Sequence, residues 1–98
     1  MAFVQIIEMH TKNYEELQAL GDEFFAATEG KRTLQRSFVT RDRNDPDRYL
    51  ILAFFDSYES AMENSRRPET AEFAARFAEL CDGTPVFRNL DVKWEEKD

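Results

Sequence analysis

The run Arg48-Tyr49-Leu50-Ile51-Leu52-Ala53-Phe54-Phe55 constrains this chain more than any other part of it. Every residue after Arg48 is apolar or aromatic, so both alternating faces of a strand built from it avoid water. Such a strand must be covered on both sides, and a chain of 98 residues has few elements with which to cover it. The run passes directly into Asp56-Ser57-Tyr58-Glu59-Ser60-Ala61-Met62, where Asp56 and Glu59 have the spacing of a helix capping box. Pro68 then interrupts that helix. Proline fits the first turn of a new one, in which Phe73, Phe77, Leu80 and Cys81 keep helical spacing until Asp82-Gly83.

The flanking segments supply partners for this strand. Phe3 to Met9 is rich in Val, Ile and Phe, with Gln5 and Glu8 as its polar interruptions, and reads as a largely buried first strand. Asn13 and Glu16 form a second capping-box spacing, opening a helix whose Tyr14, Leu17, Gly21, Phe24, Phe25 and Thr28 share a face and which Gly30 stops. Thr33 to Arg41 alternates weakly, with Leu34, Arg36, Phe38 and Thr40 on one side and Gln35, Ser37 and Val39 on the other. Its polarity suits an edge strand. Asp42 to Asp47 has the Asn and Asp-Pro-Asp chemistry of a hairpin turn, and Val86 to Trp94 reads as a last strand before the acidic tail Glu95 to Asp98.

The order strand, helix, strand, strand, helix, strand predicts an α+β, ferredoxin-like βαββαβ domain spanning 1–98, with a four-stranded antiparallel sheet and helices on one face. The apolar first and third strands take the centre. One parity of Tyr49 to Phe55 then lies on the helix-free face. Leaving several hundred Å2 of it in water would sacrifice on the order of 10 kcal/mol at ~25 cal/mol per Å2, so a homodimer through the open sheet face is expected.

Charge and composition exclude several function classes. With a formal net charge of −7, the chain would bind a polyanion against repulsion, and no basic-glycine-aromatic signature marks the third strand as an RNA platform. No nucleic-acid partner is expected. No segment approaches the ~18 apolar residues of a membrane span, and no signal-type start is present, so no membrane partner and a cytoplasmic location are expected. The lone Cys81 reads as a helix-face hydrophobe, and neither a zinc pattern nor any other cofactor requirement is evident.

Arg48 to Asp56, Ser57 to Ser65, Pro68-Glu69, Phe73 to Gly83 and Phe87-Arg88-Asn89-Leu90-Asp91-Val92 together resemble the antibiotic biosynthesis monooxygenase-like group of dimeric α/β-barrel proteins. The resemblance implies two sheets packed face to face, with a small apolar pocket between sheet and helices in each subunit. It also implies chemistry. Some members oxidise polycyclic phenols with molecular oxygen and no metal or flavin, deprotonating the substrate so that its anion reacts, whereas haem-degrading members use a helix histidine that this chain lacks. Asn64 falls where both types place a polar asparagine.

The candidate site residues follow from these two lines. His10 is the chain's one imidazole and hence a candidate general base, although a strand-end or surface histidine without a role is the stronger reading. Asn64 could donate to an oxyanion, or could be a local helix-end asparagine beside the Pro68 turn. Tyr49, Tyr58 and Trp94 could contact an aromatic ligand, or pack in the core or a dimer interface. Arg36, Arg41, Arg43 and Arg48 cluster near the second and third strands among acidic residues and read as solvated ion pairs. Two functions are expected: a cofactor-independent oxygenase of small aromatic or polyketide-like compounds, or a non-catalytic dimeric module for a small apolar ligand or a stress-related role.

Overall fold

A computed structural model describes residues 2–97; Met1, and Asp98 at the end of the acidic tail, lie outside the described residues. The order is β1 (Phe3–His10), α1 (Tyr14–Ala27), β2 (Arg36–Arg41), β3 (Arg48–Phe55), α2 (Tyr58–Ser65), α3 (Pro68–Glu79) and β4 (Val86–Asp91). The strands form one antiparallel sheet in the order β2-β3-β1-β4, the ferredoxin-like arrangement, with the apolar strands central and the polar ones at the edges.

The β1–β3 register fixes what each face carries. Phe3 pairs with Phe55, Gln5 with Ala53, Ile7 with Ile51 and Met9 with Tyr49, and this parity faces the helices. Two apolar clusters form there. Met9, Leu17, Leu20, Tyr49 and Phe77 unite one end of the central strands with α1 and α3, and Phe3, Ala53, Phe55 and Ala61 unite the other end with α2. The opposite parity, Val4, Ile6, Leu50, Leu52 and Phe54 with Phe38 and Leu90 from the edges, has no helix over it. The apolar excess expected on the open face is therefore present, and Phe38 and Leu90 remain 43% and 42% exposed.

Four charges of that open face and its rim pair with one another. Glu8 bonds both Arg48 and Arg88, and Arg48 Nη1 reaches Asp42 at 2.7 Å. The Arg48 and Arg88 guanidiniums hold the Glu8 carboxyl below its ordinary range. The Asn44 backbone N–H, followed by Arg48, does the same for Asp42.

The elements hold to expectation better than their ends do. The hairpin turn is built as its Asx chemistry predicts, with Asp42 Oδ1 accepting from the Asn44 N–H and Asp45 Oδ1 from the Asp47 N–H. The second helix is indeed split, with Pro68 opening α3. Asn13 is the N-cap residue of α1 as expected, but neither capping box closes. Asn13 makes no side-chain cap bond; instead Thr11 Oγ1 accepts from the Asn13 N–H at 2.9 Å while its hydroxyl donates to the Leu80 carbonyl at 2.6 Å. On α2 the cap is Ser57, one residue beyond Asp56, and its Oγ accepts from the Ser60 N–H. Strand β2 begins at Arg36 rather than Thr33, and β4 ends at Asp91, short of Trp94.

Thr11 thus ties three segments together, because its own N–H also donates to the Asp47 carbonyl of the hairpin at 2.9 Å. It is 1% exposed, so its hydroxyl bonds have no water to replace them. Thr11→Val is expected to lower unfolding free energy by about 2 kcal/mol, and Asn13→Ala by less than about 0.5 kcal/mol because no cap bond is lost. Urea denaturation of the two variants checks this; equal losses would contradict it.

Candidate functional site

The two apolar clusters do not meet. Between them, bounded by the sheet on one side and the helices on the other, lies a cavity of about 670 Å3. This is within the range of small-molecule sites. Its floor is Gln5 and Ile7 of β1 with Ile51, Ala53 and Phe55 of β3, and its helix walls include Leu17 and Phe24 of α1 and Phe73 and Phe77 of α3. The cavity exists because the floor position between Phe3 and Ile7 is an amide and its cross-strand neighbour is the smallest side chain of the run, Ala53. Neither fills the gap beneath the helices.

The walls are aromatic and ordered by stacking. Phe24 and Phe73 lie 4.5 Å apart between ring centroids, and Tyr14 stacks on Tyr49 at 4.8 Å. Phe25 borders the cavity with 52% exposure, and the Arg32 guanidinium sits 3.5 Å over its ring while donating to its backbone carbonyl. A flat apolar ligand would meet ring faces on entry.

Asn64 is the most deeply buried polar side chain of the lining, at 9% exposure. The break at Pro68 places it on the last turn of α2, facing the segment that precedes β2. There the Thr33 N–H donates to Asn64 Oδ1 at 3.3 Å, and the Thr33 hydroxyl in turn donates to the Ser60 carbonyl at 2.6 Å. A backbone N–H can only donate, so the oxygen of the Asn64 amide is committed to Thr33 and its NH2 group is the free end. Among the described residues nothing accepts from that NH2. Thr70, at the start of α3, adds to the lining and has a buried hydroxyl without a partner.

The other predicted site residues are dispersed. His10 ends β1 on the parity of Glu8, the open face, with its Nε2 3.4 Å from Asp45, and it does not border the cavity. Tyr49 is buried in the first cluster under Tyr14. Tyr58 is half-exposed at the start of α2, its ring edge-on to Phe3 at 5.7 Å. Trp94 follows β4, 80% exposed, with its indole N–H donating to Glu96. Of the five, the structure brings only Asn64 to the cavity. Gln5 and Thr33 were not singled out from sequence. Gln5 had a signal, as a polar residue on the parity of Phe3, Ile7 and Met9; Thr33 had none, since it acts through its backbone.

A ferredoxin-like sheet with an aromatic-walled cavity under its helices puts the chain in the class of small α+β domains with a space between the two layers. Solved structures of the same fold include SnoaB, a cofactor-independent oxygenase from Streptomyces nogalater, with a TM-score of 0.83 and 11% identity over 99% of this chain and 98% of that one. A conserved protein from Methanosarcina mazei Go1 matches with a TM-score of 0.83 and 15% identity over 95% and 94% of the two chains. An antibiotic biosynthesis monooxygenase matches with a TM-score of 0.73 and 12% identity over 94% and 98%. At these identities the likeness establishes the fold, and it is the fold that the resemblance read from the sequence implied. No family model and no curated protein matches the chain.

The cavity itself can be probed. Ala53 belongs to the second cluster and also borders the cavity, so Ala53→Phe would fill the floor and is expected to weaken binding of the neutral fluorophore N-phenyl-1-naphthylamine at least about tenfold while the far-ultraviolet circular dichroism stays that of a folded domain. Undiminished fluorophore binding would place the ligand space elsewhere.

Proposed function

We propose that this protein is a cofactor-independent monooxygenase acting on a small aromatic or polyketide-like compound held in the cavity between sheet and helices. The observation that carries this reading is the free NH2 of the buried Asn64, in the wall of an apolar space large enough for a fused-ring ligand. The naming of SnoaB as a cofactor-independent oxygenase, crystallised as an asparagine-to-alanine variant, supports it.

The chemistry follows from an anthrone-type substrate. Loss of a ring-CH2 proton gives an enolate whose negative charge spreads to the carbonyl oxygen. Molecular oxygen then bonds to the carbon, and departure of water leaves a second carbonyl: one oxygen atom enters the product and the other leaves in water. The substrate anion supplies the electrons. Asn64 donates to the enolate oxygen in surroundings where the bond is stronger than in water, which favours the anion over the neutral substrate. Asp22 is the carboxylate of the lining, on the solvent side of α1, where the proton departs. His10, on the other face of the sheet, has no step in this scheme.

Oxygen uptake with anthrone is expected from the intact protein, and Asn64→Ala is expected to lower kcat by roughly 100- to 1000-fold with little change in affinity for anthraquinone. Equal kcat in the two proteins, or no uptake across a panel of anthrones and naphthols, would overturn the reading. In the latter case anthraquinone binding would favour the alternative of a non-catalytic module for a small apolar ligand.

The open sheet face is proposed to pack against that of a second copy. The apolar set around Leu52 and Phe54 needs covering, and Glu8, Arg48, Arg88 and Asp42 are already mutually paired, so contact there would not strand those four charges, while Arg36 lies over the Phe38 ring at the sheet edge. The wild type is expected to sediment as a dimer and Leu52→Asp as a monomer; a monomeric wild type at micromolar concentration would refute the pairing.

A further inference from the structure

We infer that Gln5 is the group that recognises the ligand from the cavity floor, that it selects for a ligand hydroxyl, and that Asn89 of β4 positions it. The inference deepens the proposed function and rests on it for the aromatic body of the ligand.

The fold has no use for an amide at this place. Gln5 is in a central strand, on the helix-facing side, between Phe3 of one apolar cluster and Ile7 beside the other. An apolar side chain of its size would bridge the two clusters, whereas an amide there must find hydrogen-bond partners or be destabilising. One half of it does. Gln5 Nε2 donates to Asn89 Oδ1 at 3.0 Å, across the β1–β4 pair in which the two residues are directly opposed. On its other side stands Ala53, which offers no polar group and takes up little space. The carbonyl oxygen Oε1 is thus held in a fixed direction and, among the described residues, has no donor.

The cavity then carries two complementary polar ends. Asn64 offers a donor from the helix wall, with its oxygen fixed by the Thr33 N–H, and Gln5 offers an acceptor from the floor, with its nitrogen fixed by Asn89. A ligand satisfying both has a flat apolar body, a carbonyl or oxyanion for Asn64, and a hydroxyl for Gln5. An ether or bare ring edge at the second position would cover the Gln5 oxygen and displace its water without bonding it, which disfavours such a ligand.

Equilibrium binding of 2-hydroxyanthraquinone, 2-methoxyanthraquinone and anthraquinone tests this without turnover; the 2-hydroxyl cannot bond internally to the ring carbonyl. The wild type is expected to bind the hydroxy compound about tenfold more tightly than the other two. Gln5→Leu should erase that preference while binding anthraquinone at least as well as the wild type. Asn89→Ala, on the exposed edge strand and safe for folding, should narrow the preference by releasing the Gln5 amide. The inference is overturned by a preference that survives Gln5→Leu, by an equal loss for all three ligands, or by a wild-type preference for the methoxy compound, which would mean that the NH2 faces the cavity. Binding of all three without preference sinks the role of Gln5 alone; binding of none sinks the proposed function with it.

Discussion

The antiparallel pairing of β1 with β3 is the constraint on which the rest depends. Its register sends Phe3, Gln5, Ile7 and Met9 to the helices together with Phe55, Ala53, Ile51 and Tyr49. A slip of one residue would turn one of the two strands over, burying Glu8 and exposing Phe3 if β1 moved, or burying Arg48 and exposing Phe55 if β3 did. The same register puts Gln5 opposite Ala53, and that single pair divides the space under the helices into two cores with a cavity between them. Fold and site are therefore set by one alignment of two strands.

Much of this was legible in the sequence because the relevant signals are local. Seven apolar residues in succession mark β3 as central, polar alternation marks β2 as an edge, and Asp-Pro-Asp and Pro68 mark a turn and a helix restart. The helix caps were less legible because spacing alone does not decide which oxygen is free. Thr11, anchored by a bond to the Leu80 carbonyl 69 residues away, accepts from the Asn13 N–H in the place Glu16 would take, and no local pattern contains that anchor. Leu34 and Gln35 were given to β2 on alternation, but Thr33 is drawn toward α2 by its bonds to Asn64 and Ser60, and the strand starts later.

The site was legible only in part, for the same reason. Asn64 could be singled out because the family resemblance places an asparagine there, but its usable end is decided by the Thr33 backbone. Tyr49 and Trp94 are aromatics of equal promise in a linear reading. The first is buried under Tyr14 and the second stands beyond the last strand, a difference created by where β4 stops. Gln5 was visible as a polar interruption, yet its meaning depends on Ala53 and Asn89 lying on either side of it, and neighbours across a sheet are tertiary information.

The division into two cores has a mechanical consequence. Cluster one joins α1 and α3 to one end of the central strands, cluster two joins α2 to the other, and the α2–α3 junction at Pro68 spans the gap. The sheet runs continuously beneath both clusters, but the layer of apolar side chains above it is interrupted, so a local opening at one end need not propagate to the other. A flat guest seated over Gln5 and Ala53 would supply the missing middle of the hydrophobic layer. It would then act as a structural member, converting two loosely joined halves into one cooperative unit whose melting temperature rises with ligand concentration.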